Sequence, residues 1–229
     1  LVIYKAQKMM EQGRFTEAAG ILEQFQGKCK SLTPGRHDSK GCRHYLLDFI
    51  MGNCYLTAGN LPAAKAHYLA TMATNPGFHP GWMNLAKCCL DMEAYAEAGD
   101  AFLKAYETSL KRDPEILYDC GACFLTAGDN QKALDVFLRL LKSHPADIKL
   151  EWKGGLAQAY LACDQPRKAL PIAEELSEKT EGKKNCCGSG HGSKYPGPSD
   201  SVLRGDRKGK FRARSRIPDS TVLYPDLSA

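Results

Sequence analysis

Cys120-Gly-Ala-Cys123 has the CxxC spacing found in redox dithiols and zinc sites. A closed zinc site needs four ligands, and no second pair of this kind exists in the chain. At 100° per residue the two side chains stand about 300° apart around a helix, with Cys120 on its apolar stripe, so both read as packing cysteines. Cys29, His37, Cys42 and His44 offer four nitrogen and sulfur donors, but at spacings that fit no zinc pattern. Cys186-Cys187 with His191 reads as a reactive or adventitious site. No metal and no cofactor is expected from these residues.

Arg204 to Arg216 (RGDRKGKFRARSR) is a basic run with one aromatic. Arg204, Arg207, Lys208, Lys210, Arg212, Arg214 and Arg216 are its candidate contacts to nucleic acid or an acidic membrane, through charge that reads no sequence. A solvated polar tail is the plainer reading of the same residues. There is no phosphate-binding loop, nucleophile elbow or paired-histidine helix motif. The Gly-Ser-Gly-His-Gly stretch at 188–192 follows no strand. An enzyme is therefore not expected.

The chain has 229 residues, 43% of them apolar, which is ample for a core. Its net charge of +5 is unevenly placed. From Gly182 onward there are ten Lys or Arg and four Asp, a net of +6, against 21 basic and 22 acidic residues before it. No run of about 18 apolar residues exists to make a transmembrane helix. Leu1 rather than Met opens the chain, leaving room for residues ahead of it, and nothing near it resembles a signal peptide. Cys54, Cys89, Cys120 and Cys163 fall at apolar helical positions, a use that fits a reducing, cytoplasmic setting.

The elements that would hold these residues follow a repeat. Tyr55–Gly59–Ala64 recurs as Cys89–Glu93–Ala98, Phe124–Gly128–Ala133 and Tyr160–Asp164–Ala169, at steps of 34, 35 and 36 residues. A period of that length means stacked units, each burying its face on the next. Every unit reads as two amphipathic helices. Trp82, Leu85, Ala86, Cys89 and Leu90 line one face of a first helix, and Ala98, Phe102, Ala105 and Tyr106 turn inward on the second. Small residues recur at Gly52, Ala86, Gly121 and Ala157 and at Ala64, Ala98, Ala133 and Ala169, where two backbones must approach closely. Pro76, Pro114 and Pro145 end second helices.

These positions, with Trp82 and the aromatics Tyr68, Phe102 and Phe137, resemble the tetratricopeptide repeat family. The resemblance implies an all-α, right-handed superhelix (an α-solenoid) of about five antiparallel helix pairs. The units expected are 1–30, 45–78, 79–113, 114–145 and 146–181, with a loop over 26–43 marked by Pro34, Gly35 and Gly41. The last unit departs at Ala173, where an aromatic is expected, and at Pro171, which should kink its second helix. Residues 182–229 hold seven Gly, four Pro and no apolar period, so a disordered tail is expected there.

The resemblance also implies a concave groove lined by first-helix residues. Phe49, Asn53, Met83, Asn84, Lys87, Tyr118, Asp119 and Gln158 are its candidate contacts to a partner peptide or helix, amides for its backbone and aromatics for its side chains. Glu115 and Asp119 stand where relatives that hold a C-terminal carboxylate need cations, and would repel it. A protein-interaction scaffold is the reading these residues favour. A bacterial, type III secretion-like export chaperone using the same groove, and a nucleic-acid-associated protein using the basic tail, are the alternatives.

Overall fold

A computed structural model describes residues 2–32 and 44–184, and ten helices follow one another through them: α1 (Val2–Glu11), α2 (Phe15–Leu32), α3 (His44–Thr57), α4 (Leu61–Thr74), α5 (His79–Asp91), α6 (Tyr95–Thr108), α7 (Pro114–Ala127), α8 (Asn130–Ser143), α9 (Leu150–Ala162) and α10 (Pro166–Lys184). No strand occurs among the described residues. The chain forms two compact units, one ending at Arg112 and the other starting at Asp113. In the first, α1 packs on α2, α2 on α3, and so on through α4, α5 and α6. In the second, α7 packs on α8, α8 on α9 and α9 on α10, with α7 also touching α9.

The repeated residues act first on the turn inside each pair. Gly59 N–H donates to Leu56 O and Asn60 N–H to Tyr55 O. The same two bonds recur at Gly13 and Arg14, Glu93 and Ala94, Gly128 and Asp129, and Asp164 and Gln165. This Schellman arrangement satisfies carbonyls that the ending helix leaves over, and it needs one residue with positive φ. Gly13, Gly59 and Gly128 sit at φ 77°, 80° and 85°, and Glu93 and Asp164 hold the same position at 57° and 55°. A side chain there crowds its own carbonyl, and Asp tolerates this better than Glu. Glu93→Gly is therefore expected to raise stability by about 0.5–1 kcal/mol, and Asp164→Gly by less, in chemical unfolding.

Capping fixes the other ends. Asn60 accepts from Ala63 N–H at 3.3 Å, Asp113 accepts from Glu115 N–H at 3.0 Å, and prolines open α4, α5 and α7, where no intrahelical N–H is needed.

Packing then uses the small residues. Ala64, Ala98 and Ala133 are fully buried, and Ala169 nearly so. The Tyr68 ring on α4 lies against Gly52 on α3, where a Cβ would meet Cε1 at 2.6 Å. Phe137 on α8 is clamped between Gly121 on α7 and Gly155 on α9, where added Cβ atoms would meet the ring at 2.7 and 2.6 Å. On α9 Gly155 makes this close approach, and Ala157 is buried as expected.

Two boundaries differ from expectation. The loop expected from Gln26 starts later, because α2 runs to Leu32. Gln26 itself is anchored by its amide, which donates to both oxygens of Asp48 at 3.2 Å. Pro171 lies inside α10, which continues past it and reaches Lys184, beyond the expected limit at 181. Pro171 is in the second turn, so it forfeits a single ladder bond, and Glu175 beyond it is tied to Lys153 on α9 at 2.6–2.7 Å and to Lys179 at 2.6 Å. Cys163 is half-exposed at the C-cap of α9, whereas Cys54, Cys89 and Cys120 are buried as expected. Cys29 on α2, His37, Cys42, His44 at the start of α3 and the residues from 185, with Cys186, Cys187 and Arg204 to Arg216, lie outside the side chains described.

Candidate functional site

Residues of the first helices that packing does not consume are the candidate site, and they divide by burial. In the first unit Phe49 is fully buried, with its ring edge-on to Phe78 at 5.0 Å and tilted against Tyr68 at 6.1 Å. It cannot be a surface anchor. Asn53 is also fully buried: its Oδ1 accepts from Tyr68 OH at 2.8 Å and from Asn84 Nδ2 at 2.8 Å. Asn84, on α5, is 7% exposed. The two amides expected to read a peptide backbone are instead spent on each other and on a tyrosine, binding α3, α4 and α5 together. Half-exposed Met83 and Lys87 on α5 remain of that unit's candidates.

In the second unit Tyr118, Asp119 and Gln158 are half-exposed. Tyr118 is held edge-on to Phe137, with ring centroids 6.0 Å apart. Lys149, the N-cap residue of α9, pairs with Glu115 on α7 and lies 5.4 Å from the centroid of the buried Trp152 ring, so the starts of α7 and α9 are joined by charge. The Trp152 indole N–H has no partner among the described residues.

Asp119 carries the strongest electrostatic signal of the candidates. Burial, then the nearby Glu115 and Asp113 carboxylates, push its carboxyl up to about 7. Because the folded state holds this proton more tightly than the unfolded chain, stability falls as pH rises from about 4 to about 7 and levels off above. Asp119→Asn is expected to flatten that slope, adding about 1–3 kcal/mol at pH 8 and nothing at pH 3.5, read from urea unfolding at both. A variant less stable than the parent at pH 8 would contradict the assignment.

The thiols point away from chemistry. Burial raises Cys54 to about 12 and Cys88 to about 11, and Cys88 Sγ donates to Leu61 O at 3.3 Å. Cys120 and Cys123 are both fully buried. Three residues apart on α7, the two lie about 60° from each other around the helix, which packs on both α8 and α9, so both are interior as packing cysteines are. No group of three or more His, Cys, Asp or Glu fit to hold a metal occurs among the described residues. No described helix is long and apolar enough to cross a membrane.

A family profile described as YpiA-like, C-terminal tetratricopeptide repeats matches residues 81–147, spanning α5 to α8. Over α5 to α8 the chain carries tetratricopeptide repeats. Solved structures agree with these repeats in fold. A MamA protein superposes with a TM-score of 0.54 over 83% of this chain and 96% of that chain at 15% identity. MamA from AMB-1 gives 0.54 over 82% and 96% at 17% identity. A putative kinesin light chain from Podosopora anserina, with nearly identical TPR-like repeats, gives 0.50 over 80% and 95% at 15% identity. At such identities the likeness is one of fold: an all-α array of antiparallel helix pairs, of the α-solenoid class. No curated protein sequence matches the chain. Sequence reasoning missed the burial of Phe49, Asn53 and Asn84, and the only signal for it was the polar partner Tyr68 one helix away.

Proposed function

We propose that this repeat protein is an interaction scaffold that binds a partner peptide or helix through the half-exposed residues of its first helices. The carrying observation is that Met83 and Lys87 in one unit, and Tyr118, Asp119 and Gln158 in the other, remain partly accessible on first helices whose small repeated residues are buried. Each patch mixes an apolar or aromatic surface with a charge, the pairing that anchors and orients a short segment. Phe49, Asn53 and Asn84 support the patch from behind, fixing the helices that display it. Catalysis has no part in this reading: burial holds the Cys54 and Cys88 thiols in their protonated form.

Selection of a random-peptide display library on the full chain tests this. Enriched sequences with a shared pattern, displaced by one another in solution, are expected. A library that yields no enriched peptide after repeated rounds would count against the scaffold reading.

A further inference from the structure

The second unit leaves one half-exposed acid without a partner. Asp119 lies on α7, one turn past Glu115. It makes no hydrogen bond or ion pair among the described residues, and the influences on its carboxyl, burial first and then Glu115 and Asp113, all work against its charge. The cations at the start of α9 are committed elsewhere: Lys149 pairs with Glu115, and Lys153 holds Glu175 on α10 at 2.6–2.7 Å. The Trp152 ring, fully buried and 5.4 Å from the Lys149 ammonium, keeps an indole N–H with no partner among the described residues. An acceptor on α7 and a donor on α9 are thus left unspent on two helices that touch.

The flank of Asp119 is aromatic and has room. Tyr118 is half-exposed, its ring steadied edge-on against Phe137. Gly154, which holds the place of Tyr118 on α9 at the 36-residue step, leaves open space where a side chain would stand. Charge decides what completes such a patch. Ionising Asp119 is costly because its carboxylate is shielded from water and stands near two others. A cation brought against it recovers more of that cost than a neutral donor, since the pairing strengthens where water is thin. Lysine and arginine also carry their charge on a long apolar stem, which lies well along an aromatic surface.

We propose that the α7 patch is a seat for a basic side chain, so that the partner segment carries a lysine or arginine whose charge pairs with Asp119 and whose stem lies on Tyr118. If the first helices hold a segment, as the scaffold reading on which this rests requires, that segment is basic at this point.

Peptide-display selection on the full chain at pH 8.0, where most of Asp119 is ionised, tests the seat. Peptides enriched on the parent are expected to share a lysine or arginine at one position. Changing that residue to glutamine should weaken binding to the parent about ten- to a hundredfold, against less than about threefold for Asp119→Asn. Asp119→Asn is expected to be more stable than the parent at this pH, so its weaker binding is not a loss of fold. Asp147→Asn, which removes an exposed carboxylate from the same unit, should behave as the parent does. Enriched peptides with no fixed basic residue, or an equal loss in the parent and Asp119→Asn, would overturn the seat and leave the scaffold reading in place. An Asp147→Asn variant as insensitive as Asp119→Asn would overturn it too, by showing that bulk charge is what the peptide reads. A selection that enriches nothing would contradict both readings.

Discussion

Phe137→Ala is expected to cost about 3–5 kcal/mol of folding stability, among the largest losses available to a single substitution in the second unit. The phenyl ring is 1% exposed and is gripped by Gly121 on one side and Gly155 on the other. Neither glycine can extend into the space the ring leaves, so the cavity stays open and its walls lose their contacts. The same geometry predicts a reversal. Gly121→Ala alone drives a Cβ to within 2.7 Å of Phe137 Cζ, and should cost about 1–3 kcal/mol through overpacking. In the Phe137→Ala background that methyl enters vacated volume and gains helix propensity of about 1 kcal/mol, so there it should stabilise. A double-mutant cycle in urea reads the coupling, and additive losses would show that ring and glycine do not interlock.

Asn53→Ala is the second large effect, at about 2–4 kcal/mol. The lost side chain is small, but the Tyr68 hydroxyl and the Asn84 amide both donate to its Oδ1 inside the core. Their acceptor would vanish where water cannot replace it, and a buried donor left over costs more than the bond itself was worth. Tyr68→Phe should cost only about 1 kcal/mol, because it removes donor and demand together. It should also recover part of the loss when combined with Asn53→Ala. Thermal unfolding of the three variants measures this, and a double variant as unstable as the sum would argue against a shared network.

Much of the architecture is legible in the residue order because the repeat constrains backbone and volume. The turn at Gly59 or Gly128 needs positive φ, and Ala64, Ala98 and Ala133 need a missing side chain, so a one-letter pattern carries the geometry. Glu93 shows that the demand belongs to the position: it adopts φ 57° despite its side chain. Helix ends were less legible. Gln26 looks like a loop residue until Asp48, 22 residues on, is seen to hold its amide, and the end of α10 beyond Pro171 is fixed by the ion pairs of Glu175, which no local pattern announces. The candidate site was the least legible part. Phe49 and Tyr118 fall on the same helix face by period, yet one is closed over by Phe78 and the other keeps an accessible side. Whether a first-helix residue faces solvent depends on the side chain arriving from the following unit. The period does not encode that side chain.

The central claim is that the residues outside the repeat pattern do the binding. Calorimetric titration of a library-selected peptide against the full chain, its Tyr118→Ala variant and its Lys87→Ala variant tests it most directly. A loss of about 1–3 kcal/mol in at least one variant, with the fold intact by circular dichroism, is the predicted result. Unchanged affinity in both would contradict the account, and place the binding surface elsewhere on the molecule.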